Sequence, residues 1–228
     1  MNSEMVLVAH GTRSTRGVET IAALAEAVAQ RGIRVRTAFV DVLGPSPSEV
    51  LRDVGARPAV VVPAFLASGY HVHSDVPREV ADSGHPAVTV TPALGPDPVL
   101  ARVQHRRLIE AGWRAGDPVV LAAAGSSDPR ALRDVRRAAA MLSEHVGRVD
   151  IGYAATASPR VGEVVAGLRK RRVFVASYLL AHGLFQERLH ECRAKGVTEP
   201  LGVAPEVVDL LVQRFTAGAR QLAGARTM

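Results

Sequence analysis

The sequence predicts an α/β protein of two pseudo-symmetric domains, each a small parallel sheet flanked by helices. Three observations predict this fold class: short β-branched runs alternate with amphipathic stretches, the second half repeats the first, and 47% of the 228 residues are hydrophobic. Strands that alternate with helices form parallel sheets, and this apolar fraction is enough for a substantial core. We place the two domains at residues 1–113 and 114–228.

Eight apolar runs are predicted strands. They are Met5 to Ala9, Val35 to Val40, Ala59 to Val62, Val88 to Val90, Val119 to Ala122, Val149 to Ala154, Val173 to Ser177 and a weak run near Thr198. The intervening segments carry helix start signals. Ser46-Pro47-Ser48-Glu49 has the form of a capping box, and Asp97-Pro98 and Asp128-Pro129 place an N-capping side chain before proline.

The second half repeats the first in three segments. The matched pairs are Leu7 to Thr12 with Leu121 to Ser126 and Phe39 to Asp41 with Tyr153 to Ala155, both at an offset of 114, and Val60 to Leu66 with Val173 to Leu179, at an offset of 113. Three matches in the same order and at nearly one offset indicate a duplication.

The repeat separates residues that the fold needs from residues that a single site needs. Glycine and a hydroxyl residue persist at the first turn of both halves. Three polar residues lack a polar counterpart: His10 aligns with Ala124, Asp41 with Ala155, and His71 with Leu184 or Phe185. All three follow predicted parallel strands, and open α/β sheets bind ligands beyond the carboxyl ends of their strands. The sequence therefore predicts a site in the first half.

Two imidazoles and a carboxylate form an open set of ligands for a divalent metal such as Fe²⁺, Co²⁺, Ni²⁺ or Zn²⁺. The same groups accept protons near neutral pH. Fewer than four protein ligands argues against a closed structural zinc site. Whether His73 or His182 takes part is left open by the sequence.

The composition argues against several other classes of protein. A net charge of +6 suits an anionic partner, but aromatic residues make up only 4% and no nucleic-acid-binding motif occurs. A P-loop, a Gly-x-Gly-x-x-Gly motif and a Gly-x-Ser-x-Gly elbow are absent, and Ala9 stands where histidine phosphatases have an arginine. With no apolar run long enough for a membrane span and a lone Cys192, we expect a cytoplasmic protein that binds neither nucleic acid nor membrane.

Several motifs together resemble the class II tetrapyrrole chelatases. They are His10-Gly11-Thr12-Arg13, Val62 to Leu66, Gly69-Tyr70-His71 with Asp75-Val76-Pro77, and Gly125 to Pro129. The resemblance covers nearly the whole chain. It implies a sirohydrochlorin chelatase of the siroheme or anaerobic cobalamin pathway, with two similar α/β domains that face one another across a cleft holding the active site.

The resemblance also implies an activity and residue roles. The activity is that of a lyase that inserts Fe²⁺ or Co²⁺ into sirohydrochlorin without ATP, and Fe²⁺ is the metal we expect. By position, His10 and His71 match the family's metal-handling histidines, and Asp41 matches an acidic position where glutamate is common. These three are the expected catalytic residues, and the two histidines are the expected metal ligands.

The substrate is expected to contact the first turn of each half, at Gly11, Thr12, Arg13 and Ser126. Sirohydrochlorin carries eight carboxylates, which arginines bind through charge-assisted pairs. The expected partners are this tetrapyrrole and its divalent metal, which is a substrate, with no permanently bound cofactor. We expect a monomer.

Three alternatives remain at this point. The first is a cobaltochelatase of anaerobic cobalamin biosynthesis. The second is a metal or tetrapyrrole carrier that performs no insertion. A (β/α)₈ barrel also suits eight strand–helix units, although 228 residues is short for one.

Overall fold

The computed structural model describes residues 3–225. The strands of this part of the chain are β1 (Glu4–Ala9), β2 (Val35–Phe39), β3 (Ala59–Pro63), β4 (Val88–Val90), β5 (Val119–Ala123), β6 (Val149–Tyr153), β7 (Phe174–Tyr178) and β8 (Gly196–Val197). Its helices are α1 (Thr15–Ala29), α2 (Pro47–Val54), α3 (Val76–Ser83), α4 (Pro98–Glu110), α5 (Pro129–Val146), α6 (Val161–Gly167), α7 (Leu184–His190) and α8 (Pro205–Ala225), and a π-helical turn, His71–Asp75, precedes α3. Each predicted strand is present, with its ends shifted by at most about two residues.

The strands form two separate four-stranded parallel sheets. Their orders are β2-β1-β3-β4 and β6-β5-β7-β8. The predicted fold class, two α/β units with small parallel sheets, is confirmed. Because the eight strands divide between two open sheets, the alternative of a single closed (β/α)₈ barrel is wrong.

The central strands are buried along their whole length, which explains their nearly continuous apolar sequence. Every residue of β1, β3, β5 and β7 is buried, as expected for parallel strands that helices cover on both faces. The helices begin where their caps predict. Ser46 and Glu49 form the capping box of α2, and the side chains of Asp97 and Asp128 accept hydrogen bonds from backbone amides at the starts of α4 and α5.

Strand pairing corrects the repeat at the third strand. Met5 pairs with Val60 in the first sheet, and Val119 pairs with Phe174 in the second. Met5 and Val119 are 114 positions apart, and so are Val60 and Phe174. The offset of 113 inferred for this strand is therefore wrong by one residue. Runs of apolar residues align about equally well one position apart, and only the pairing with a neighbouring strand fixes the register.

The chain forms two compact units, and their boundary differs from the predicted one at residues 113 and 114. The first unit ends at Leu94 and takes in the chain from Val207 onward, and the second is Gly95–Glu206. Two helices are responsible: α4 belongs to the second unit, and nearly all of α8 belongs to the first.

Specific contacts explain both helix assignments. In α4, the Gln104 side chain is 1% exposed and its Nε2 donates a hydrogen bond to the carbonyl oxygen of Ser177 at 3.4 Å. In α8, Gly218 packs so closely on the first sheet that a Cβ added there would lie 2.6 Å from Cγ1 of Val60. No helix within residues 3–225 is long and apolar enough to cross a membrane.

Candidate active site

The order of the first sheet places three expected site residues on neighbouring strands. His10 directly follows the central strand β1, Asp41 follows β2 on one side, and His71 follows β3 on the other side. The carboxyl ends of parallel strands lie at one edge of a sheet, where open α/β sheets bind ligands. The three residues therefore follow strand ends at the same edge.

The two histidines lie against each other. The centroids of the His10 and His71 rings are 4.6 Å apart, and the ring planes meet at 84°. His10 is exposed, and the side chain of His71 is 32% exposed. The sequence places these residues 61 positions apart, and the pairing of β1 with β3 brings them together.

A buried carboxylate holds His71. Nδ1 of His71 lies 2.7 Å from Oδ2 of Asp75, which is only 7% exposed, and Oδ1 of Asp75 lies 3.0 Å from the Arg78 guanidinium. A carboxylate accepts hydrogen bonds, so Nδ1 carries the proton and donates. The Nε2 lone pair of His71 is then available to a metal or a proton.

The backbone gives His10 the same tautomer. Its Nδ1 lies 3.2 Å from the carbonyl oxygen of Gly11, which can only accept a hydrogen bond. Nδ1 of His10 therefore donates. In their neutral forms both rings keep the lone pair on Nε2, the atom through which such a ring would bind a metal.

The sequence prediction did not assign Asp75, Phe65 or Tyr70 to the site. The Phe65 ring stacks on His71 with centroids 6.1 Å apart, and Tyr70 meets His71 edge-on at 6.2 Å while 58% of its surface is exposed. The spacing of four residues between His71 and Asp75 was the available signal, because such residues are neighbours on a helical turn. Phe65 and Tyr70 stand in two of the motifs named above, but the sequence does not show which way their rings face.

Asp41 does not join the histidine pair in this arrangement. Its side chain is exposed, and its Oδ1 accepts a hydrogen bond from the backbone amide of Val42 at 2.8 Å. Among residues 3–225, no three His, Cys, Asp or Glu side chains are placed to hold one metal ion. The geometry therefore assembles two of the three expected catalytic groups.

Gly11 and Thr12 have structural roles at the first turn. Gly11 has φ = 93°, and a Cβ there would collide with the carbonyl oxygen of Asp41. Oγ1 of Thr12 accepts a hydrogen bond from the amide of Ser14 at 3.1 Å. Arg13 is exposed. These contacts explain why glycine and a hydroxyl residue occupy the turn, and they leave the expected contact of residues 11–13 with substrate as a prediction.

The second unit builds the same turn. Oγ of Ser126 accepts a hydrogen bond from the amide of Asp128 at 3.0 Å. The hydroxyl proton of Ser126 stays available for donation to a ligand. His182 pairs with Glu199 at 2.9 Å in this unit, and His73 is exposed on the π-helical turn of the first unit.

Comparisons with known proteins agree with this architecture. The CbiX family model matches residues 4–111 and again residues 118–217. The sirohydrochlorin ferrochelatase of Bacillus subtilis (strain 168) is 27% identical over 204 residues, which are 83% of this chain and 78% of that protein. The sirohydrochlorin cobaltochelatase of Methanocaldococcus jannaschii is 34% identical over 79 residues, which are 32% of this chain and 55% of that protein.

A solved structure has the same fold. The structure of SirB from Bacillus subtilis with Fe³⁺ superposes with a TM-score of 0.82 at 24% identity and covers 98% of each chain. Because the family model matches both repeats and most of the chain, the protein belongs to the CbiX family of class II chelatases, as its motifs predicted.

Proposed function

We propose that this protein inserts Fe²⁺ into sirohydrochlorin without ATP and thereby forms siroheme. The observation that carries this proposal is the His10–His71 pair, with ring centroids 4.6 Å apart. In their neutral forms the two rings offer the lone pairs of their Nε2 atoms at the carboxyl edge of the first sheet. The sirohydrochlorin chelatases among the relatives supply the substrate class.

Two imidazoles suit a metal that must be captured and then released. Neutral imidazole binds Fe²⁺ and Co²⁺, and two protein ligands leave most coordination positions to water and then to the macrocycle nitrogens. A third protein ligand would strengthen retention of the metal. The exposed position of His10 supports exchange with solvent and with substrate.

The same pair is suited to take the protons that metal insertion displaces. As M²⁺ enters the macrocycle, two pyrrole N–H bonds break, and the two electron pairs become metal–nitrogen bonds while two protons leave. Once the metal has passed from Nε2 of His71 to the macrocycle, the freed lone pair accepts one proton, and the resulting imidazolium is stabilised by Asp75, which lies 2.7 Å from Nδ1. His10 and Asp41 are exposed and pass protons to water.

The choice of Fe²⁺ over Co²⁺ rests on the product, because siroheme formation does not require a cobalamin pathway. Relatives of both kinds match this chain. Histidine ligands bind both ions, and cellular supply sets the choice for such a site. Cobalt insertion is therefore the second candidate.

The decisive experiment is an anaerobic absorbance assay with sirohydrochlorin and either Fe²⁺ or Co²⁺. Enzyme should raise the initial rate of metallated product well above the spontaneous rate over many turnovers, and more with Fe²⁺ than with Co²⁺. A spectral change that stops at one equivalent of enzyme identifies a carrier and overturns the proposal. A higher kcat/KM with Co²⁺ identifies a cobaltochelatase.

A further inference from the structure

The positive charge of the chain is concentrated in one segment of the second unit. The whole chain has a net charge of +6, and residues 160–195 hold eight lysines and arginines against three acidic residues, a net of +5. The corresponding segment of the first half, residues 46–81, holds three cations and four acidic residues, a net of −1. The duplication thus kept the fold and changed the charge.

Five of these cations line a groove beside α6. Two adjoining cavities of about 440 and 360 Å³ share Gly162, Glu191 and Cys192. The cations that line them are Arg160, Arg169, Lys170, Arg188 and Arg193. Each cavity falls within the range of roughly 300–1,000 Å³ that is usual for small-molecule sites.

The side chains of these five cations form no ion pair with a carboxylate among residues 3–225, although the backbone amide of Arg160 donates a hydrogen bond to Oε2 of Glu163 at 2.8 Å. Elsewhere in the same unit arginines are paired: Arg130 lies 2.8 Å from Asp128, and Arg172 lies 2.9 Å from Asp117. Glu191 is the acidic residue that lines the groove. Unpaired cations around one concave surface produce a positive potential that attracts anions.

Two of the groove cations have an unusual backbone. Arg169 and Arg193 lie in the left-handed region, with φ of 48° and 58°. Few non-glycine residues adopt this conformation. It persists where the surrounding structure imposes it, and such residues cluster at ligand sites. Both residues line the second of the two cavities.

Hydrogen bonds join the segments of the first unit that correspond to the groove. In the first unit, Glu79 of α3 accepts a hydrogen bond from the amide of Ser48 at 3.2 Å, and Arg52 of α2 donates to the carbonyl oxygen of Asp82 at 2.9 Å. At the offset of 114, Gly162 stands in place of Ser48. A Cβ added at Gly162 would meet no atom within 4 Å.

The floor of the groove is apolar. Val161, Leu189 and Cys192 are buried. Burial raises the pKa of the Cys192 thiol, so this side chain stays neutral near physiological pH. The apolar side chains are almost fully covered, so the surface that the groove offers a ligand is mainly its cationic rim, which matches a ligand with an anionic periphery. The low aromatic content of the chain, 4%, does not favour single-stranded nucleic acid, whose bases stack on aromatic side chains.

We propose that this groove of the second unit binds the carboxylate-bearing edge of a tetrapyrrole. The inference rests on the proposed function, because a sirohydrochlorin chelatase meets polycarboxylated tetrapyrroles as substrate and product. The exposed Arg160 and Arg188 pair with carboxylates of the ligand. The groove takes no part in metal chemistry.

Metal-free uroporphyrin, an octacarboxylic tetrapyrrole, is the probe for equilibrium binding to the full-length protein. The double variant Arg160→Gln/Arg188→Gln should raise its Kd about tenfold or more, because hydrogen bonds to charged groups are lost. The same variant should bind with a shallower dependence on salt. Arg220→Gln, which removes an exposed cation of α8, is the matched control and should stay within about twofold of wild type.

Gly162→Phe tests the groove by shape while every charge is retained. It should also raise the Kd for uroporphyrin about tenfold with an unchanged salt dependence, since the open space at Gly162 accepts the ring without strain. Thermal melting verifies that each variant is folded. A Kd within twofold of wild type in both groove variants overturns the inference. So does a loss of affinity for a single-stranded oligonucleotide with uroporphyrin binding unchanged.

Failure of this inference is distinguishable from failure of the proposed function. Uroporphyrin binding is measured without metal, and the comparison of the groove variants with wild type reports on the groove. If metal insertion with the wild-type protein is no faster than the spontaneous reaction, the proposed function is overturned. Rapid wild-type chelation together with unaltered uroporphyrin binding by the groove variants would overturn only the inference.

Discussion

The two units build the same first turn from the same backbone contacts. A Cβ at Gly11 would collide with the carbonyl oxygen of Asp41, and a Cβ at Gly125 would collide with that of Ala155. Oγ1 of Thr12 and Oγ of Ser126 each accept a hydrogen bond from the amide two residues later. Glycine and a hydroxyl residue thus survive in both halves because the turn requires them.

The side chains that carry chemistry differ between the units. His10 of the first unit is replaced by Ala124, and in the corrected register His71 corresponds to Phe185. The first unit keeps the histidine pair, and the second unit carries the positive charge. After duplication, the backbone of the first turn stayed constrained in both units, whereas the metal site is needed in only one of them.

Loss of either histidine should have the largest effect. His10→Ala and His71→Ala should each lower the chelation rate by about 10²–10⁴-fold, because each removes a metal ligand and an acid–base group. The midpoint of thermal unfolding should stay nearly unchanged, since both side chains are at least partly exposed. His190→Ala, at an exposed position of α7, is the control. Strong destabilisation of these variants with normal specific activity would show that His10 and His71 have a structural role.

Asp75 should act through His71. Asp75→Asn keeps an acceptor for Nδ1 but removes the charge that stabilises the imidazolium, so kcat should fall about 10–100-fold. The KM for sirohydrochlorin should not change. Steady-state kinetics and isothermal titration of the metal would separate these effects. An Asp75→Asn variant that melts at lower temperature but has wild-type kcat would contradict this role.

Replacement of the glycine in either first turn should destabilise the protein by a similar amount. Gly11→Ala and Gly125→Ala should each lower the free energy of unfolding by about 1–3 kcal/mol, because the added methyl group displaces a carbonyl oxygen and a positive φ becomes strained. Urea unfolding of both variants measures the losses. A loss in one variant alone would mean that the turns are not built alike.

Ser126→Ala should raise the KM for sirohydrochlorin by about two- to tenfold and change kcat less, since a neutral hydrogen bond to bound substrate is removed. The exposed neighbour Ser127 provides a control, Ser127→Ala. Kinetics with tetrapyrrole and metal varied separately test the division of roles between the units. An effect on the metal dependence alone would refute that division.

The smallest expected effect is on stability at mildly acidic pH. Burial, followed by repulsion from His145, lowers the pKa of His105 in the second unit, and burial lowers the pKa of His85 in the first. The folded state therefore binds fewer protons than the unfolded state. The free energy of unfolding should be steady above the ordinary pKa of 6.5 and should fall as the pH drops below it.

Replacement of either histidine should flatten that dependence. His105→Gln and His85→Gln should each lessen the loss of stability between about pH 7 and pH 5, because the proton uptake on unfolding is removed. Urea unfolding across this range is the measurement. A steeper dependence in either variant would show that protonation stabilises its unit.

Local signals in the sequence determined the secondary structure, the sheet type and the family. Alternating apolar runs marked the strands, and the capping side chains of Ser46, Asp97 and Asp128 marked helix starts, because these interactions are made within a few residues. The repeat indicated two similar units and singled out His10, Asp41 and His71 at strand ends.

Contacts between distant residues were decided only by the tertiary structure. The register of β3 and the exchange of α4 and α8 between units depend on packing partners, which a helical or strand pattern does not name. The same reason applies to the site. Pairing of β1 with β3 brings His10 to His71, the π-helical turn buries Asp75, and packing leaves open space beside Gly162.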